Sequence, residues 1–156
     1  MDLFEASCQG LGLALAIGMF GGALAGIAQG KLDDGRALTG LLLILAAVGG
    51  GIAFGASLRV EDHPAWPGWI AGAVVAGFAL LVAGSVVAAA SERAGDGGSA
   101  AFIAAITAAA ALVLAALSLT FAAPISLVGL AALAFIAINR RRRAAQKYEG
   151  LRILRG

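Results

Sequence analysis

Charge is what this chain has least of, and its absence is patterned. The 11 basic and 9 acidic residues all lie outside four runs, at 6–30, 37–58, 64–91 and 97–139. An apolar run of 18 or more uncharged residues is long enough to cross a hydrocarbon core of about 30 Å as a helix. In lipid the backbone must satisfy its own hydrogen bonds, so such runs become helices. Only 13% of the residues are charged and 61% are hydrophobic, against about 25% charged in soluble domains. The expectation is an all-α integral membrane protein. The loops between the runs are too short to fold separately, so one membrane domain is expected and no soluble one.

Other scarcities narrow the chemistry. Cys8 is the single cysteine, which excludes an internal disulfide and a cysteine-based zinc site. It reads as a small buried residue. His63 is the single histidine. It stands in Glu61-Asp62-His63, the one chemically mixed cluster. Two carboxylates beside an imidazole are metal-ligand and acid–base types, but three adjacent residues do not converge on one point without unusual backbone geometry. The reading is a solvated loop. No ionisable residue falls inside a run, and such a residue would mark a functional site by default. Rotor-ring subunits of ATP synthases need a mid-span carboxylate, and small multidrug exporters a membrane-embedded glutamate. Proton-coupled transport by these routes is therefore not expected, and neither is voltage sensing by serial arginines. No phosphate-binding, haem or metal motif appears. Neither an enzyme nor a cofactor is expected.

The fourth run spans positions 97–139, about twice the length of one crossing at 1.5 Å per residue. Pro124 supplies the break, since it lacks a donor and disfavours helical geometry at Ala123. Five spans result, near 7–29, 38–58, 66–90, 99–121 and 124–139, followed by a basic tail at 140–156. Seven of the eleven basic residues lie in that tail. With the tail cytoplasmic, five spans put ten basic residues inside and leave only Arg59 outside. A four-span arrangement puts eight inside. The positive-inside rule therefore selects a five-helix bundle with the N-terminus outside and the C-terminus cytoplasmic. Near the start, Asp2 and Glu5 occur without Lys or Arg, so the first span is expected to be retained rather than cleaved as a signal peptide.

What the runs do contain is small residues. Gly10, Ala14, Gly18, Gly22, Gly26 and Gly30 recur every fourth position and form a stripe on one helix face. Ala47, Gly51 and Gly55 repeat the spacing in span two, and Gly68, Gly72 and Ala76 in span three. Such stripes let backbones approach closely, which is how membrane helices gain packing energy. Tight packing within the chain is the first reading, homo-oligomerisation through the span-one stripe the second, and a backbone-lined groove the third. Ser57, Ser85, Thr107, Ser118, Thr120 and Ser126 read as hydroxyls bonded back to a carbonyl one turn earlier or making a weak interhelical hydrogen bond. Asp33, Asp34 and Arg36, and Glu92, Arg93 and Asp96 with their glycines, read as polar turns.

Trp66 and Trp69, flanked by Pro64 and Pro67, stand where span three begins and read as an interface anchor, with a ligand platform as the alternative. Arg140, Arg141, Arg142, Arg143, Lys147 and Arg152 are placed against anionic lipid headgroups. Tyr148, Leu151 and Leu154 are spaced three apart for an amphipathic tail on the inner leaflet, with fixation of topology alone as an equal reading and a docking site for a cytoplasmic partner as a third. Lipid is thus the expected partner, with a second copy or another membrane protein beside it, and nucleic acid is not. Gln9-Gly10-Leu11-Gly12-Leu13-Ala14, with the glycine-rich first span and arginine-rich end, resembles an uncharacterised bacterial membrane family, domain of unknown function 4126. The resemblance covers positions 1–25 and the tail, and implies no activity and no functional residue. Abundant Ala, Gly and Arg with two lysines points to a GC-rich bacterial genome. The function expected is a small bacterial inner-membrane protein of structural, scaffold or accessory-subunit type. The competing class is a transporter or channel for a small neutral or apolar solute, as an oligomer.

Overall fold

The protein is seen in a computed structural model that describes residues 3–31, 35–60, 62–94 and 97–153, with side chains described outside positions 30, 31, 94, 97, 100 and 144–153. Five helices follow one another: α1 (Leu3–Lys31), α2 (Gly35–Arg59), α3 (Trp66–Ala94), α4 (Gly97–Thr120) and α5 (Ala122–Ile153). No strand occurs among the described residues. All five are long and apolar enough to cross a membrane.

Register pairs give the topology. Gly18, Gly22 and Gly26 of α1 meet Ala76, Leu80 and Val87 of α3, numbers rising together, so these helices run parallel. Gly10 meets Phe54 while Gly21 meets Ala46, so α2 runs antiparallel to α1. Gly12 meets Ser118 of α4 and Ser126 of α5, and Gly129 of α5 meets Leu15. Odd and even helices therefore alternate in direction. Leu3, Arg59, Trp66 and Ala122 share one end of the bundle, while Gly35, Arg93 and Arg140 share the other.

α1 is the hub: it touches the other four helices, whereas α2 touches neither α4 nor α5 among the described residues. Its most apolar window is 61% buried, against 17% for α4 and for α5. The sequence explains this position. Small residues occupy not one face of α1 but several, with Gly18, Gly22 and Gly26 against α3, Gly21 against α2 and α3, and Gly12 against α4 and α5. Three apolar clusters surround it: Leu15 with Ala79, Val82 and Leu133, Ala23 with Val87 and Ala104, and Ala25 with Ala46 and Leu80.

The connection between α4 and α5 is a single residue. Phe121 donates its N–H to the Leu117 carbonyl at 2.7 Å, closing α4, and accepts from Ile125 N–H at 3.3 Å, opening α5. Pro124 therefore sits inside the first turn of α5, where its missing donor costs nothing. It still forces the break, because a helix continuing from α4 would need that donor and would clash with its ring. The junction at Phe121 lies just before the expected break at 122–123. α5 also runs through the arginine run to Ile153, so no backbone boundary separates the fifth span from the tail. Arg, Ala, Gln and Lys are good helix formers, and nothing at 140–149 interrupts them.

Candidate functional site

Three places gather the residues singled out by sequence: the glycine contacts of the core, the tryptophan end and the arginine end.

In the core, glycine is required by proximity. A Cβ added at Gly22 would lie 2.6 Å from the Leu80 carbonyl oxygen and 2.8 Å from Gly84 N, and one at Gly26 would lie 2.5 Å from Val87 Cβ. At Gly18 it would overlap the Ala76 carbonyl. Among the described members of the α1 stripe, Gly18, Gly22 and Gly26 thus face α3 of the same chain and Gly10 faces Phe54 and Ser57 of α2. Gly51 lies beneath Trp69, where a Cβ would stand 2.9 Å from the Trp69 carbonyl oxygen, and Gly55 faces the Trp69 ring itself. Two contacts escaped sequence reasoning, Gly50 against Gly72 and Gly22 against Gly84. Gly50 stands beside Gly51 in a Gly-Gly-Gly triplet, a run whose spacing does not say which glycine faces the neighbour. The surroundings of Gly30 lie outside the described residues.

At the tryptophan end α2 closes with a Schellman-type cap. His63 N–H donates to the Leu58 carbonyl and Asp62 N–H to the Arg59 carbonyl, each at 3.1 Å. Asp62 has φ 57°, the left-handed geometry such a cap demands at this position and which Asp tolerates better than most residues. The polar cluster is therefore read in part as a helix stop: Asp62 and His63 are exposed in it, and Glu61 lies outside the described residues. No group of three His, Cys, Asp or Glu side chains among the described residues is placed to hold a metal. Trp66 and Trp69 are 63% and 49% exposed, and the Arg59 guanidinium sits over the Trp69 ring, 5.9 Å from its centroid. Trp69 is consequently both a surface aromatic and a packing partner of Gly55.

At the arginine end the four consecutive arginines are not equivalent. Arg141, Arg142 and Arg143 are exposed, whereas Arg140 is half-buried. Its Nη1 donates to Ser85 Oγ of α3 at 2.6 Å. Helical side chains tilt towards the helix N-terminus, so the first arginine of the run is aimed back along α5 into the bundle. Ser85 receives it because its own hydroxyl already donates to the Val82 carbonyl at 2.7 Å, leaving oxygen lone pairs free to accept. From the sequence Arg140 is expected among the headgroups, and Ser85 is expected to bond back to its own helix or weakly to another, with no partner named. Their pairing across 55 residues has no local signal. The side chains of Lys147, Tyr148, Leu151 and Arg152, and Asp33, Asp34, Asp96 and Leu154, lie outside the described residues.

The remaining hydroxyls turn inward on their own helices. Ser57 donates to Phe54, Thr107 to Ile103, Ser118 to Ala115, Thr120 to Leu117 and Ser126 to Ala122. Ser118 and Ser126 are the buried polar side chains of the described core, and no buried side-chain N or O atom among the described residues lacks a partner. No family model, curated protein or solved structure matches this chain. The described residues combine close glycine contacts between α1 and α3, an outer surface rich in exposed large apolar side chains, exposed arginines at one end and Arg59 over Trp69 at the other.

Proposed function

We propose that this is a small bacterial inner-membrane protein of scaffold or accessory-subunit type, oriented with its N-terminus outside and its C-terminus cytoplasmic. It works through helix contacts and through Arg140, Arg141, Arg142, Arg143, Lys147 and Arg152 against anionic lipid. The observation that carries this reading is the close backbone contact between α1 and α3 at the middle of the bundle. Gly18, Gly22 and Gly26 bring the α1 and α3 backbones together, and the two buried hydroxyls are spent on their own carbonyls. A solute path needs polar groups or space, and along the α1–α3 contact small residues bring the two backbones together instead. The outward faces of α2, α4 and α5 remain apolar, with Ile44, Ile52, Phe102, Leu112, Val128 and Phe135 all more than half exposed. In a bilayer these faces meet lipid or another membrane protein at little cost, because association there is driven by packing rather than by hydrophobicity.

The test is chemical crosslinking and affinity purification in mild detergent from native membranes. A reproducible membrane-protein partner at defined stoichiometry supports the reading. A homo-oligomer that conducts a neutral solute after reconstitution overturns it in favour of transport. Orientation is read separately, by thiol accessibility of single cysteines placed at His63 and Arg143 in a Cys8→Ala background. The proposal requires labelling from the outside at the first position and from the inside at the second.

A further inference from the structure

On the bundle surface α2 and α3 part to leave a groove of about 420 Å³, lined by Ala47, Val48, Gly51, Ile52, Trp69 and Ala73. We propose that it holds one acyl chain of an outer-leaflet phospholipid whose phosphate rests on Arg59. This inference rests on the membrane placement and orientation proposed above.

Small residues make the groove. Ala47, Gly51 and Ala73 contribute almost no side chain, so the floor lies close to the helix backbones. Val48 and Ile52, 55% and 61% exposed, stand up as one wall. Trp69 closes the end nearest the α2 C-terminus, its ring against Gly55 and its carbonyl beside Gly51. None of the lining side chains is charged, and Trp69 carries their one polar atom. An apolar cavity of this kind does not retain water, and at hydrocarbon depth the available filler is an alkyl chain.

The charge at the mouth selects which lipid. Arg59 is the one Lys or Arg between Arg36 and Arg93, and it ends α2 at the same end of the bundle as Trp69. Its side chain leans back along α2, as helical side chains do, and is held over the Trp69 ring. A guanidinium stacked on an aromatic keeps its N–H edge free, and that edge matches two phosphate oxygens. Ala47 to Ile52 lie seven to twelve positions before Arg59 in the same helix, or about 10–18 Å along its axis. A lipid with its phosphate at Arg59 therefore lays the upper part of a chain along the groove. An ammonium-bearing headgroup brings a cation towards Arg59, so an anionic headgroup is preferred.

The test uses a Trp66→Phe protein, in which Trp69 is the sole indole, reconstituted in vesicles of phosphatidylcholine or phosphatidylglycerol with brominated acyl chains. Fluorescence quenching against the fraction of brominated lipid gives the relative affinity at Trp69. The proposal requires a severalfold preference for phosphatidylglycerol. That preference is lost in Arg59→Gln, kept in Arg141→Gln, and accompanied by weaker quenching when Ala73→Leu fills the groove. Equal quenching by both lipids that neither Arg59→Gln nor Ala73→Leu changes means general surface lipid, and overturns it. Absent quenching together with crosslinking between copies through Ile52→Cys means that a second copy occupies the groove, and also overturns it. No quenching by any brominated lipid, with no crosslink, overturns the membrane placement as well.

Discussion

Gly22 of α1 and Gly84 of α3 face one another backbone to backbone: a Cβ on Gly84 would stand 3.3 Å from the Gly22 carbonyl oxygen, and one on Gly22 would stand 2.8 Å from Gly84 N. Any side chain at Gly22 must push the two central helices apart. Gly22→Val is expected to destabilise the bundle by about 1–3 kcal/mol, the range for overpacking a filled core. Gly40→Ala is the matched control, because a Cβ there meets nothing within 4 Å. It should be neutral or stabilising by about 0.5–1 kcal/mol, since alanine loses less backbone entropy in a helix. Reversible unfolding in mixed micelles of mild detergent and dodecyl sulfate measures both. Equal effects at the two positions would show that the α1–α3 contact is not tight.

The α2 cap makes a prediction of opposite sign at an exposed acidic residue. Asp62 holds φ 57°, where glycine is unstrained and a β-branched side chain is strongly disfavoured. Asp62→Gly is expected to hold or raise stability slightly. Asp62→Val should lower it by about 1–2 kcal/mol. If Asp62 instead served a metal, both replacements would lower a metal-dependent melting temperature, and added chelator would do the same to the parent protein.

Arg140 and Ser85 should be coupled, and Arg141 and Ser85 should not. The Nη1 to Oγ hydrogen bond is 2.6 Å long, while Arg141 is exposed. Interhelical hydrogen bonds in membrane proteins contribute about 0.6 kcal/mol on average and at most about 1.7. A double-mutant cycle on Arg140→Ala and Ser85→Ala is expected to give a coupling within that range. The cycle with Arg141→Ala should give none. Preference for anionic lipid at the arginine end, by contrast, should fall when the exposed Arg141, Arg142 and Arg143 are replaced together, with the preference read at Trp69 unchanged.

The five helices were legible because the signal for a span is composition over length, which needs no knowledge of neighbours. The turn at Phe121 was legible only approximately: Pro124 announces that a helix cannot pass, but a proline fits the first turn of the next helix as readily as the break itself. Glycine spacing marked α1 as a helix in close contact but not α3 as its partner, since a stripe on one helix does not name the helix that fills it. That α1 is the hub is not expected from the stripe alone, although Gly12, Gly21 and Ala25 put small residues on its other faces. The Arg140–Ser85 pair was not legible at all, because which arginine of four points inward depends on the rotation of α5 about its axis. The Schellman cap at Asp62 was hidden for a related reason. Without glycine at the left-handed position, the strongest sequence sign of that motif is missing.

The buried serines offer the sharpest separation between a packed scaffold and a conduit. Ser118 and Ser126 are fully buried where α4 and α5 meet Gly12 of α1, the one place in the described core where hydroxyls gather. Each donates to a carbonyl of its own helix, Ser118 to Ala115 at 2.8 Å and Ser126 to Ala122 at 2.6 Å. Removing a hydroxyl bonded in this way leaves only a helical carbonyl that keeps its backbone donor. The double variant Ser118→Ala with Ser126→Ala is therefore expected to change stability by less than about 1 kcal/mol and to leave partner recovery from membranes unchanged. Gly12→Val acts at the same spot through volume, because a side chain there runs into Ser118, and should destabilise by about 1–3 kcal/mol. If the serines line a path, the order reverses: the alanine pair abolishes solute flux in reconstituted vesicles while the fold stays intact. Flux and unfolding measured on the same two variants decide between packing and passage.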